Sequence, residues 1–248
     1  DDPLARKVLA REMTIGQQVS HPNLSPVLDA GIAQERPYLV MPLFSGVSLQ
    51  KLCHQQPLLS ITQAIWFLRQ VSQGIATLHQ HGWIHADIKP SNVMLGSDGH
   101  ATLIDFGLAR RIGSNECAAD SPFVGTLSYA APEMISSDLP IGPEVDVYSL
   151  GVTTFELLGG KTPFADLPSQ ELATAHLHNH PPIVRRWVPG LQRDISQLLQ
   201  AMLAKQAVNR PTMTEVINAF TRLEIETFAE RCLGPASPSD AAPRKQAA

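Results

Sequence analysis

His85-Ala86-Asp87-Ile88-Lys89-Pro90-Ser91-Asn92 is followed soon after by Asp105-Phe106-Gly107. Together these segments put a candidate base (Asp87), a cation (Lys89) and two metal-seeking groups (Asn92 and Asp105) on neighbouring loops. Moving a phosphoryl group from a metal-bound nucleotide needs such a set, because catalysis there is mostly positioning and charge stabilisation. Asp-Phe-Gly alone is a weak signal, since it arises by chance in many proteins. Both segments in this order, with Ala131-Pro132-Glu133 downstream, form a specific pattern.

The flanking sequence alternates between helical and extended patterns. Residues 3–19 read as a helix with a polar face (Arg6, Lys7, Arg11, Glu12) and an apolar one (Leu4, Val8, Ile15), ended by His21-Pro22-Asn23. Two strand-like runs follow at 24–28 and 38–41, the second leading into Pro42-Leu43-Phe44-Ser45-Gly46. Ser60 and Gln63 make a capping-box pattern ahead of the stripe Ile61, Ile65, Leu68, Val71, Ile75, Leu78. The loop-rich stretch 83–133 carries the motifs. Helices are expected at 143–158, 169–178, 194–204 and 212–225, the last with a second capping box at Thr212 and Glu215. The proline-rich end, 234–248, reads as a linker or disordered tail.

The 248 residues are enough for a sizeable core, and 44% hydrophobic with 17% charged residues describes a globular chain. A net charge of -4 argues against a general nucleic-acid or anionic-membrane binder. Cys53, Cys117 and Cys232 are odd in number and widely spaced, which suits reduced thiols in a cytoplasmic setting. The most apolar run, 145–158, is broken by Asp146 and Glu156, so no membrane span and no membrane contact is expected of this segment. No signal peptide is visible behind the opening Asp1-Asp2-Pro3.

On the motifs quoted above, the chain resembles the eukaryotic-like (Hanks-type) Ser/Thr protein kinases of bacterial type, through nearly all of residues 1–233. The resemblance implies an α+β fold with a mostly helical large lobe at 44–233. A partial small lobe at 1–43 would hold a long helix and two strands, and the tail would lie at 234–248. It implies ATP and Mg2+ as cofactors, and a protein substrate with a Ser or Thr acceptor. Asp87 would accept or orient the hydroxyl proton, and Lys89 would neutralise charge on the transferred group. The Lys89-Pro90 pair favours Ser/Thr over Tyr specificity. Asn92 and Asp105 would hold the metal, with oxygen donors of the kind magnesium takes. Met41 would lie at the back of the nucleotide pocket, Leu43 in the hinge that reads the adenine edge, and Met94 under the adenine ring.

Other positions carry structural roles by the same resemblance. Phe106 would couple the metal loop to the first helix, with Gly107 as a backbone hinge and His85 packed against Phe106. Gly125-Thr126-Leu127-Ser128-Tyr129 would dock the residue after the phosphoacceptor, with Thr126 reaching toward Asp87. Glu133 and Arg210 would form a buried pair, and Asp146 would hold the catalytic loop by its backbone amides. Glu12 would stand at the helix-glutamate position. Its lysine partner and the Gly-rich loop are not in the chain, so Glu12 is expected to be an unpaired surface carboxylate. Gly16 stands where the family usually has an apolar residue. Ala86 replaces the Arg that pairs with an activation-segment phosphate, so activity is expected not to need phosphorylation at Ser114, Ser121, Thr126 or Ser128.

The same absences imply an N-terminally truncated kinase domain, whose 248 residues alone would transfer little or no phosphate. Two other readings stand beside this one. A pseudokinase would act by partner binding, although each large-lobe catalytic position holds the expected residue type. A small-molecule kinase of the aminoglycoside or choline type would share the base and metal loops, but not the Ala-Pro-Glu and Gly-Thr platform for a peptide.

Overall fold

The computed structural model describes residues 3–33, 36–55, 59–114, 126–136, 141–188 and 190–232, with no side-chain account at 3, 4, 55 and 228–232. Gly125, Ser121, Cys117 and the tail 234–248 lie outside the described residues, as do the side chains of Leu4 and Cys232.

Helix α1 (Pro3–Gln18) opens the chain, and β1 (Asp29–Gly31) and β2 (Tyr38–Val40) form an antiparallel pair after it. The faces of α1 differ from the polarity pattern. Glu12 and Ile15 are buried along with Val19 just beyond the helix, because spacings of three and four put them on one side. Glu12 is therefore not a surface carboxylate: only 8% of it is exposed. The run 24–28 is not a strand either. Pro26 has no N–H to give a ladder, and Leu24 makes only a single parallel bridge, to Leu103. The strand begins at Asp29, after Leu28 N donates to the Val40 carbonyl at 2.8 Å.

Gly16 has a steric explanation. A Cβ there would stand 2.4 Å from Val27 Cγ2, so Val27 fills the space beside this turn of α1.

The remaining described chain builds one helical body. β3 (Gly46–Ser48), β5 (Val93–Gly96) and β6 (Ala101–Leu103) form a three-stranded antiparallel sheet in the order β3-β5-β6. β4 (Trp83–Ile84) pairs antiparallel with β7 (Arg110–Arg111). The short helix α2 (Leu49–Gln55) and most of these strands carry too few residues to show a period in sequence. Helix α3 (Ile61–Gln80) starts at the expected capping box: Gln63 N donates to Ser60 Oγ and Ser60 N to Gln63 Oε1, both at 3.2 Å. Its buried stripe includes Ile65, Leu68, Val71, Ile75 and Leu78, and it packs on α8 (Met213–Cys232). Thr212 and Glu215 cap α8 by the same reciprocal bonds.

Helix α5 (Glu144–Gly159) is buried almost all round, as a central helix must be. The short helix α4 (Pro132–Ile135), α6 (Ser169–His178) and α7 (Arg193–Met202) complete the body. Asn23 fastens the connection after α1 to it: its Nδ2 donates to Gln70 Oε1 of α3 and to the Ala101 carbonyl of β6.

Candidate active site

The two motif loops are joined through the sheet. Val93 pairs with Leu103, and Ile104 N donates to the Asn92 carbonyl at 2.9 Å, so Asp105 follows directly on a residue bonded to Asn92. Within the first loop Asp87, Lys89 and Asn92 form one cluster. Asp87 Oδ2 accepts from Lys89 Nζ at 2.6 Å and from Asn92 Nδ2 at 2.9 Å, while Asn92 Nδ2 also donates to the Asp87 carbonyl at 3.0 Å. Lys89 Nζ reaches Thr126 Oγ1 at 3.0 Å, bringing the segment that starts at Thr126 to the same point. Thr126 thus meets Asp87 through Lys89.

This arrangement fixes the Asn92 amide. Its NH2 group is engaged by Asp87, which leaves Oδ1 as an acceptor that, among the described residues, meets Ser91 Oγ at 3.3 Å. The Asp105 carboxylate is exposed, with Oδ1 accepting from Gly107 N at 3.2 Å. Among the described residues no group of three or more His, Cys, Asp or Glu is placed to hold a metal ion. An ion held by Asn92 and Asp105 would depend on phosphate oxygens and water for its other ligands, as magnesium commonly does.

Both loops hold a non-glycine residue in the left-handed region, Ala86 at φ 64° and Asp105 at φ 67°. Such geometry is uncommon and gathers at functional sites when the surroundings enforce it. At Ala86 the enforcing group is Asp146, at the start of α5. Its Oδ1 accepts from Ala86 N and its Oδ2 from His85 N and His79 Nε2, each at 2.8 Å. Burial pushes this carboxyl up, but the His79 hydrogen bond and charge, with help from His85, outweigh it and hold Asp146 below the usual range. His79 is a site-supporting residue that the sequence did not flag. A lone His at a helix end gives no local sign of a partner in another helix.

His85 is fully buried and edge-on to Phe106, with ring centroids 5.6 Å apart. Its Nδ1 accepts from Asp87 N at 3.2 Å, so its proton lies on Nε2, facing the Ile104 carbonyl at 3.3 Å. Gly107 is required by close approach, since a Cβ would lie 2.6 Å from Val8 Cγ1. Arg11 Nη1 donates to the Gly107 carbonyl at 3.2 Å, and the Glu12 carboxylate is buried near Asp105 and the Phe106 backbone. Helix α1 is thereby latched onto the second loop. Burial, and then the charge of Asp105, push the Glu12 carboxyl above its ordinary range.

Glu133 and Arg210 form a bidentate pair at 2.6 and 2.8 Å, both nearly solvent-free, with Arg210 also donating to the carbonyls of Glu144, Ala204 and Lys205. The expected nucleotide residues are less tightly gathered. Met94 lines a shallow cavity of about 310 Å³ with Phe44, Ser45 and Thr102, while Met41 and Leu43 do not line it and are 41% and 95% exposed.

The family model described as the protein kinase domain matches residues 1–220. The chain belongs to the protein kinase family. Similar proteins include the Ser/Thr-protein kinase PknJ of Mycobacterium tuberculosis, 32% identical over 84% of this chain and 36% of that protein. The probable Ser/Thr-protein kinase pknA2 of Bifidobacterium longum is 30% identical over 82% of this chain and 27% of its own length. The Ser/Thr-protein kinase PrkC of Bacillus subtilis is 28% identical over 84% and 32%. This kinase chain thus spans about a third of the length of the relatives it matches. No helix among the described residues is long and apolar enough to cross a membrane.

Proposed function

We propose that this chain carries the large lobe and part of the small lobe of a Ser/Thr protein kinase that transfers the γ-phosphoryl group of Mg-ATP to a protein hydroxyl. The observation that carries this reading is the Asp87–Lys89–Asn92–Thr126 cluster, all within 3.0 Å steps, with Asp105 beside it along the sheet.

Asp87 takes its place as the group that orients the acceptor hydroxyl and receives its proton. Lys89, held on Asp87 and Thr126, sits where it can offset charge on the transferred oxygens and the docked peptide strip at once. Asn92 and Asp105 supply an amide oxygen and a carboxylate to magnesium. That ion, bound with the nucleotide, would lower the cost of charge building on the phosphates. The 248 residues hold no Gly-rich loop and no strand lysine to partner Glu12, so on their own they are expected to transfer little or no phosphate.

Transfer of labelled phosphate from Mg-ATP to a generic protein substrate tests it. The full-length protein should turn over, and Asp87→Asn should lower kcat by about 10²–10⁴-fold while nucleotide affinity is kept. Turnover retained in Asp87→Asn would remove this residue from its role.

A further inference from the structure

The link between α1 and the helical body is a turn built on His21-Pro22-Asn23, and two histidines hold it. Pro22 has no N–H, so the first backbone donor after His21 belongs to Asn23. That N–H donates to His21 Nδ1 at 3.1 Å, closing a turn of the kind an asparagine side chain makes with the residue two further on. Leu24 N donates to the His21 carbonyl at 3.0 Å. From the turn between β5 and β6, His100 Nε2 meets the Pro22 carbonyl at 2.9 Å.

The bond directions fix both rings. His21 Nδ1 accepts, so its proton lies on Nε2 and the ring is neutral. A carbonyl can only accept, so His100 Nε2 carries a proton, and it does so whether that ring is neutral or charged. Protonation therefore leaves the His100 bond standing and breaks the His21 one, because an imidazolium sets its own N–H against that of Asn23. His100 is the titratable group that faces His21, and among the described residues no carboxylate pairs with the His21 ring. Burial, and then the charge of His100, push His21 below its ordinary range, so the folded chain favours the neutral form that the turn needs.

The turn matters because of what it joins. Past it, Leu103 N donates to the Asn23 carbonyl and Ser25 N to the Leu103 carbonyl, both at 2.9 Å, which fastens this segment to β6 two residues before Asp105. Before it, α1 reaches the same loop through the Arg11 bond to the Gly107 carbonyl. We propose that His21 is an acid-sensitive hinge for α1: on gaining a proton it frees the Asn23 N–H and loosens α1 over the Asp105 loop. The folded ring holds a proton less tightly than the unfolded one. The contribution of the hinge is therefore full above the unfolded histidine value of about 6.5 and is lost as pH falls through the lowered one. This device does not depend on the kinase reading.

Backbone amide exchange of the full-length protein, read by mass spectrometry for α1 against α3 and corrected for the intrinsic effect of pH, tests this. From about pH 8 to about pH 5, protection of α1 relative to α3 should fall about fivefold, the scale of one neutral hydrogen bond. His21→Asn offers an amide oxygen in place of Nδ1 and does not titrate, so α1 should stay protected in it throughout. His100→Gln keeps a donor for the Pro22 carbonyl, and the acid loss should persist there. A ratio indifferent to pH in the unmodified protein, a loss that survives in His21→Asn, or one that disappears in His100→Gln would each overturn the proposal. If His21→Asn does not fold, the imidazole ¹⁵N spectrum of the unmodified protein decides. A neutral Nε2–H ring that gains its second proton below about pH 6.5, with the Asn23 amide signal moving at the same midpoint, supports the hinge; an Nδ1–H ring, or an Asn23 signal that stays in place, overturns it.

Discussion

Glu12 shows how one residue's surroundings set its chemistry. In this chain it is buried near Asp105, and burial first, with Asp105 second, raises its pKa. Folded Glu12 therefore holds its proton to higher pH than the unfolded chain does. Its contribution to stability is full below the ordinary carboxylate range and is lost as pH rises through the raised value. Glu12→Gln keeps the size of the side chain and removes the charge. It should raise the Tm of the 248-residue chain at pH 7 and leave it unchanged near pH 4, as read by thermal denaturation; a drop at pH 7 would contradict this account. Asp87, Lys89 and Asn92 were legible as neighbours because they stand within six residues of one another, and hydrogen bonds do join them. The burial of Glu12 was not, since polarity assigned it to the outer face while the helical period put it on the inner one.

At the scale of elements, the signals that could be read were those contained in a single segment. The α3 capping box is one: Ser60 and Gln63 satisfy each other's backbone donors at the helix start. Ser60→Ala should cost about 1 kcal/mol, measured as a lower urea midpoint with an unchanged m-value. Helices were likewise expected close to where α5, α6 and α7 lie, and the Thr212–Glu215 box marked the start of α8, which runs past the expected end at 225 to Cys232. The sheet β3-β5-β6 was not, because strands of three or four residues leave no alternation to count. The run 24–28 looked extended for its apolar residues, yet Pro26 denies it a ladder and its extended backbone serves as a link to β6. His79 escaped notice for a related reason: its partner, Asp146, stands on another helix.

Across the whole molecule, a few long-range polar contacts hold the loops to the helical body. Arg210 and Glu133 are separated by 77 residues and tie α4 to the turn before α8. Glu133→Gln leaves the Arg210 guanidinium buried without its counter-charge and should cost about 3–5 kcal/mol, visible in equilibrium denaturation. A cost within error of zero would make the pair incidental. Leu28, Tyr38, Val40, Met41 and Leu43 form the opposite case, apolar side chains left exposed on and around the β1–β2 pair. They mark the part of the fold where the chain's own residues offer least cover. The account as a whole turns on whether Asn92 and Asp105 serve one ion. A crystal structure of the full-length protein with Mg2+ and a non-hydrolysable ATP analogue should place the metal about 2.1 Å from Asn92 Oδ1 and from an Asp105 carboxylate oxygen. A metal and triphosphate bound away from both residues would contradict it.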